Sequence, residues 1–544
     1  MCIRDSPVTH VSGPLTTTQT WTPDHVYVID SQVTVPNNVT LTINAGTIIK
    51  AYHSGDFHVY AGGIVNVAGT DSSPVVFTSV NDDSVGGDSG GDGMSTPEVG
   101  DYGTAIANVN GGTVNVSHAH FSYTRSSISQ ACTYGGSLSL TDSVLGGSLG
   151  IVDCGRGQII LERNQFAVSD EDPLTLLNSD PASVAVQGTD QNTFVGSGQA
   201  RVVHLTNDEI SSGSSWSIDS TSGAVYVVDG TGLSIGGELT VGPGVIFKAD
   251  RSAALKTQSG GVLTINGTSQ QKVNITSYHD DSLGGDSDGN GMSVDVSPGD
   301  YGAAIQSLGG SVVAEHADIR YASPAISANS GQLDLEGVGV ADSVSGMGVD
   351  GSAKVTFRGA FANITNSMVR ACNWASQCSV DAAYTDWGDA GGPAGKVCGE
   401  VTTSPWIYNG ANHDGGLFSP NCDGSPTPDT QLSSSVSGFQ SRVNQHQIDC
   451  DNGFQDACQA VDQAYACLTG ALNVAGSTSP FPLPGASTAD QVNAFGGQVV
   501  SSAMDFITSQ EELTVGGFTF ALAGQLTNVL NTFTAMTNAY NSCG

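Results

Sequence analysis

From Leu41 onward, short runs of three to five residues alternate apolar with polar side chains, and they are rich in Val, Ile, Leu and Thr. LTIN at Leu41, IVNV at Ile64, TVNV at Thr113, LSL at Leu138 and IILE at Ile159 come first. ELTV at Glu238, LTIN at Leu263, VVAE at Val312, LDLE at Leu333 and VTFR at Val355 follow. Alternation with a period of two is the pattern of a half-buried strand. Outside two long Asp/Gly-rich segments, successive runs begin about 21 to 25 residues apart, with Gly, Asn and Ser turns and no helical periodicity between them. An antiparallel sandwich would show a turn about every 8 to 12 residues. The longer beat predicts a parallel β-helix, in which each coil stacks its strands on the coil before.

A larger repeat overlies this beat. TSVNDDSVGGDSGGDGMS (Thr78 to Ser95) returns as TSYHDDSLGGDSDGNGMS (Thr276 to Ser293), identical at 13 of 18 positions at an offset of 198. VYVID at Val26 matches VYVVD at Val225, GTIIK at Gly46 matches GVIFK at Gly244, and GDYGTAI at Gly100 matches GDYGAAI at Gly299. One unit of about 200 residues has been copied, which predicts β-helix units over 21–222 and 223–421.

GTIIK, GGIVNVAGT, PVVFTS, DDSVGGDSGGDG and GDYG, with their second copies, resemble the right-handed parallel β-helix (pectin-lyase-like) proteins found on or outside bacterial cells. DAAYTDWGDAGGP and VCGEVTTSPW, between Asp381 and Trp406, look like the closing coil of such proteins. The resemblance covers about residues 24–408 and implies a mainly β solenoid at an extracellular or cell-surface location. It does not imply one activity, because this fold carries polysaccharide lyases, glycosidases, adhesins and phage tail fibres.

Met1 to Ser6 reads as a non-native opening and 1–20 as a lead-in, so the true N-terminus and any signal peptide are expected to be missing. Residues 422–430, with Pro426 and Pro428, read as a linker. Beyond them, FQDACQAVDQAYACLTGAL and QVNAFGGQVVSSAMDFI have helical spacing, and Cys450, Cys458, Cys467 and Cys543 lie in the same segment. The expectation for 431–544 is a small disulfide-stapled α-helical domain, either capping the solenoid or serving for attachment. Apart from Cys2, ten cysteines remain, none with zinc spacing, which predicts an oxidising compartment. Cys132 and Cys154 stand 22 residues apart, or one coil, and are expected to pair. Stacked coils are about 4.8 Å apart, within the Cα separation of about 4.4–6.8 Å that a disulfide accepts. Cys372 with Cys378 and Cys398 with Cys422 are the next expected pairs.

Charge narrows the partners. Lys and Arg number 16 against 52 Asp and Glu, a formal charge of −36. Phosphate backbones and anionic lipid surfaces are bound through Lys and Arg, so neither nucleic acid nor a membrane surface is an expected partner. No apolar run reaches the length of a membrane-spanning helix, about 18 residues. Gly is abundant (71) without a Gly-X-Y period, and 38% of residues are hydrophobic, so collagen and wholesale disorder are excluded.

The charge concentrates in the two Asp/Gly segments. Asp82, Asp83, Asp88, Asp92 and Asp101 in the first, and Asp280, Asp281, Asp286, Asp288, Asn290 and Asp300 in the second, form candidate calcium ligand sets. Hard oxygen donors on a Gly-rich loop suit calcium, and carboxylates this close repel one another unless a cation neutralises them. Asp286 to Met292 fits the first half of a D-x-[DN]-x-[DN]-G loop, although the glutamate at position twelve is missing. The competing reading is a solvated acidic turn. Neighbouring aspartates on a strand point to opposite faces, which argues against Asp82-Asp83 and Asp280-Asp281 as a catalytic acid/base pair.

Gly146 to Gly150 meets the G-x-S-x-G pattern only formally, because that motif requires a strand-to-helix turn. His118-Ala119-His120 could present two imidazoles to zinc, but a structural histidine is preferred, since Asp318 replaces His120 in the second copy. The expected protein is therefore a secreted or cell-surface structural or adhesive β-helix, stabilised by calcium, with polysaccharide or cell-surface glycan as candidate ligand. Two equivalent loops on one rod would suit bivalent attachment. The alternative is a polysaccharide lyase or glycoside hydrolase. A cleft uniting carboxylates with an accessible Lys or Arg beside a cation would favour the enzyme.

Overall fold

A computed structural model describes residues 7–413 apart from 109–110, 131–135, 148, 154–157, 169–171, 184–190, 292–294, 372–377, 389–391, 394–395 and 400, together with 513–515, 518–520 and 538. The chain divides into two compact units, 1–368 and 369–544.

The first unit is a parallel β-helix with three strands per coil. Val26–Val35 supplies two of them around a bend, Thr40–Asn44 supplies the third, and Ile48–Ala51 then stacks back on Val26–Ile29. The alternating runs seen in the sequence form one face: Thr40–Asn44, Ile64–Ala68, Thr113–Ser117, Ser137–Thr141 and Gln158–Glu162 pair in parallel and in register. Its inward positions Leu41, Val65, Val114, Leu138 and Ile159 are buried and stack as like on like.

Non-glycine residues in the left-handed region turn the coil at the end of this face. His118 (φ 51°), Asp142 (φ 53°) and Arg163 (φ 55°) do so in successive coils, and His316 does so in the second copy, while Tyr321, Asp342 and Asn363 turn the next corner there. The residue after each bend satisfies backbone donors: Ser143 Oγ accepts Ala119 N–H, Asn164 Oδ1 accepts Ser143 N–H, and Asn192 Oδ1 accepts Asn164 N–H. Such ladders keep the corners from burying unpaired amides.

Two columns of inward residues locate the acidic segments. One runs Tyr27, Ile49, Phe77, Phe121, Leu145, Phe166, Phe194. Aromatic stacking reinforces it, with ring centroids 4.7 Å apart for Phe77 and Phe121 and 4.8 Å apart for Phe166 and Phe194. The other runs Val33, Phe57, Ile106, Ile128 and, past the strand Leu149–Asp153, Leu174, Val203, Tyr226, Phe247, Ile275, Ile319, Val340, Phe361. Phe77 stands in the first column, whereas Ile275, its counterpart by sequence, stands in the second. Seven coil steps lead from Val33 to Tyr226, so Tyr27 and Tyr226 are separated by seven coils and one further face. The two acidic loops therefore leave the solenoid from different faces, which the sequence offset alone did not reveal.

The second unit contains short parallel ladders, Val369–Arg370 with Val397–Cys398 and Ser379–Asp381 with Val401–Thr402. A hairpin pairs Trp406–Tyr408 with Ala411–His413, and Trp387 is fully buried. The expectation of a disulfide-stapled α-helical domain over 431–544 is not supported: Leu513–Val515 and Phe518–Phe520 form an antiparallel pair. The sequence ELTVGGFTF accounts for it, since alternating β-formers around Gly-Gly are a hairpin signal. The rest of that segment lies outside the described residues, as do Cys132, Cys154, Cys372, Cys422, Cys450, Cys458, Cys467 and Cys543, so each expected disulfide involves at least one residue not described.

Candidate metal centres

Each acidic loop folds back over the outer face of the sheet that precedes it. Outward positions there are apolar or sealed: Val26, Val28 and Val80 cluster with Ile48, and Val225 and Val227 are buried. The loop can lie this close because Gly86 (φ 72°) and Gly284 (φ 75°) present no side chain. A Cβ at Gly86 would stand 3.0 Å from Val26 Cγ2, and one at Gly284 2.9 Å from Val225 Cγ2.

Beneath each loop lies a fully buried lysine. Lys50 Nζ donates to the carbonyls of Asp82 (2.8 Å) and Gly87 (2.6 Å), and Lys248 Nζ donates to that of Gly285 (2.7 Å). Burial pulls both ammonium pKa values down, against the opposing pull of the aspartates above them. In the second loop Arg201 Nη2 adds a bond to the Gly284 carbonyl at 2.9 Å.

The candidate ligands separate into two groups. Asp83, Asp88 and Asp92 bring one carboxylate oxygen each within 4.8 Å of one another, and so do Asp281, Asp286 and Asp288. The remaining candidates hold the loops in shape. Asp82 accepts Thr78 Oγ1–H and Ser84 N–H, and Asp280 accepts Thr276 Oγ1–H and Ser282 N–H. Asp101 accepts Ser79 Oγ–H, Asn81 Nδ2–H and Glu98 N–H, while Asp300 accepts Ser297 N–H and Oγ–H. Asn290 donates Nδ2–H to Asp288.

The two centres differ in depth. Asp88 and Asp92 are exposed and Asp83 is half-buried, accepting Ser95 N–H. Asp281 is only 3% exposed and neither carboxylate oxygen has a hydrogen-bond partner. Burial, then the charge of Asp288, raises its pKa. Burial acts the same way on Asp286, but hydrogen bonds led by Gly291 N–H outweigh it and hold that carboxyl below its ordinary value. Burying a carboxylate without a partner is costly, and a cation held between Asp281 and its neighbours would offset that cost. The chemistry of both donor sets fits a divalent ion.

His118 Nε2 lies 3.1 Å from Asp71, at the left-handed bend before the strand that carries the exposed His120. Ser148 lies outside the described residues. It falls between strands Val144–Gly147 and Leu149–Asp153, a setting without the helix a nucleophile elbow needs.

Sequence reasoning missed a cluster beside the second loop, because its members are distant along the chain. His204 Nδ1 is 2.7 Å from Asp172 and Nε2 is 3.7 Å from Asp229, with the Tyr278 ring 6.3 Å away. Burial would lower the imidazole pKa, but the hydrogen bond and charge of Asp172, supported by Asp229, outweigh it and raise the value. A raised folded-state pKa stabilises fully below the ordinary value of about 6.5 and loses that contribution as pH climbs through the folded value. The melting temperature is expected to fall over that interval, and His204→Gln is expected to flatten the fall. Superimposable profiles for the two proteins would contradict the assignment.

Among the described residues, no helix is long and apolar enough to cross a membrane, which leaves strand-crossing proteins unaddressed. No curated protein and no solved structure matches the chain. The coil stacking and the first acidic loop coincide with a family match: residues 13–143 match the pectate-lyase-like β-helix domain.

Proposed function

We propose that this is an extracellular scaffold built on a duplicated β-helix unit, whose two acidic loops bind divalent cations, calcium foremost, and engage extracellular polysaccharide through them. The observation that carries the reading is the paired aspartate triads, the second built around a buried carboxylate with no partner. The pectate-lyase-like domain supports a carbohydrate-related role, and the charge of −36 favours a calcium-bridged glycan over nucleic acid.

Because the loops leave from different faces, each would hold a separate polysaccharide chain. Cross-bridging therefore replaces two-point attachment to one surface.

The enzyme alternative has one observation in its favour, since carboxylates do converge above a lysine. That lysine, however, is sealed beneath the loop and bonded to a backbone carbonyl. β-Elimination needs a base and a positive charge that touch the substrate. A separate open recess, lined by Thr9, Gln19, Thr20, Trp21, His25 and Tyr27, carries neither a carboxylate nor a Lys or Arg.

The deciding experiment is a glycan array with calcium and with chelator, run beside assays for reducing and unsaturated ends. Calcium-dependent binding without product release is expected. Release above a heat-killed control, abolished by Asp281→Asn, would establish the enzyme instead.

A further inference from the structure

Both loops have a lysine beneath them, so what separates them lies alongside. The short 3-10 helix Gly198–Arg201 runs against 284–289, the stretch of the second loop that carries Asp286 and Asp288. Arg201 Nη2 donates to the Gly284 carbonyl at 2.9 Å. Gly198 (φ 59°) comes so close that a Cβ there would stand 2.4 Å from the Asp286 carbonyl oxygen, and a Cβ at Gly289 would stand 2.8 Å from Gln199 Nε2. A Cβ at Gly91, the first-loop counterpart of Gly289, would meet nothing within 4 Å among the described residues. The triads differ in the same sense. His279 Nδ1 lies outside the second triad and holds Asp288 Oδ2 at 2.6 Å, whereas its counterpart Asn81 donates to Asp101, outside the first. Asp281 is buried with both oxygens unpartnered, whereas Asp88 and Asp92 are exposed.

We infer that the two loops load calcium in order: the second, braced by Gly198–Arg201, fills first, and the first fills only at a higher concentration. The inference rests on the loops being cation sites, as proposed above, and adds that calcium concentration sets how many polysaccharide chains the rod holds. Between the two steps one chain is held, and above the second step two are cross-bridged. Calcium affinity follows ligand charge and site rigidity. Each triad has three carboxylates, so ligand charge does not separate the loops and rigidity does. A loop that must order itself around the ion loses binding free energy to that ordering. A tenfold difference in Kd is about 1.4 kcal/mol, which is the backbone ordering cost of about one residue. Bracing along 284–289 is enough to supply it.

The test is a calcium titration of the chelator-stripped full chain, read separately by proteolysis within 278–300 and within 80–101. Protection of 278–300 is expected at a calcium concentration about tenfold or more below that which protects 80–101, the scale on which groups behind metal ligands act. Arg201→Met removes a positive charge beside the second loop. By charge alone it would tighten cation binding there, whereas by loss of the brace it is expected to raise the 278–300 midpoint about tenfold. Gly198→Ala, which alters no charge and no ligand, is expected to raise that midpoint too, by pushing the segment off Asp286. Both variants are expected to leave the 80–101 midpoint unchanged, and far-ultraviolet circular dichroism checks that the solenoid is intact. Equal midpoints, a reversed order, or a 278–300 midpoint that either variant fails to raise would overturn this inference alone. Failure of calcium to protect either segment would overturn the cation reading of the loops and this inference with it.

Discussion

Phe77→Ala is expected to destabilise the first unit by about 3–5 kcal/mol, the usual cost of emptying a buried aromatic site. Phe77 is 2% exposed. It stacks on Phe121 at 4.7 Å and meets Phe57 edge-on at 6.4 Å, so its ring contacts both inward columns. A solenoid coil cannot collapse around such a cavity, because its backbone is fixed by parallel ladders above and below. Val313→Ala, at a position 38% exposed, is expected to change stability by no more than about 0.5 kcal/mol. Urea unfolding of both variants checks the contrast, and equal losses would refute the assignment of Phe77 to the core.

The second large effect is expected from the lysines beneath the loops. Methionine keeps the volume of the stem but donates nothing, so Lys50→Met strands the buried Asp82 carbonyl and leaves that of Gly87 with Ser89 Oγ–H alone, whereas Lys248→Met leaves that of Gly285 with Ser287 Oγ–H. Each buried acceptor left unpaired costs about 1–3 kcal/mol, which predicts the larger loss for Lys50→Met. Removing the ammonium also removes the built-in counter-charge to the aspartates above. Faster proteolysis is therefore expected within 80–101 for Lys50→Met and within 278–300 for Lys248→Met. Added calcium is expected to slow both. Cleavage no faster than wild type would mean that the lysines do not anchor the loops.

Much of the solenoid was legible because its signal is local. The alternation in LTIN, IVNV and TVNV places Leu41, Val65 and Val114 inward, and the structure stacks them in register. The lysines were visible as matching positions in GTIIK and GVIFK, but nothing in one sequence reports that an outward-pointing lysine is covered by a loop arriving more than thirty residues later. The acidic segments were legible as candidate cation loops. Their division into ligands and anchors was not, since Asp82 and Asp83 look alike until hydrogen bonds separate them. The change of face between Phe77 and Ile275 depends on coil count, which the offset of 198 residues conceals behind loops of unequal length. The hairpin at 513–520 was overlooked because helical spacing upstream was carried past a Gly-Gly turn signal.

The central claim is that the two aspartate loops are divalent-cation sites on a β-helix that folds without them. Coil cores owe their stability to stacked aliphatic and aromatic side chains, whereas the loops have little apolar surface to set against their ordering entropy. An ion that binds only the folded state stabilises it by mass action, by about 2.7 kcal/mol at a concentration one hundred times Kd. The most direct measurement is a calcium titration of the chelator-stripped full chain, from micromolar to millimolar, following melting temperature and proteolysis of 80–101 and 278–300. The account predicts a rising melting temperature and progressive protection of both segments, with strand content unchanged by chelator. A melting temperature and cleavage rate that stay flat across the whole titration would contradict it and leave the loops as solvated acidic turns.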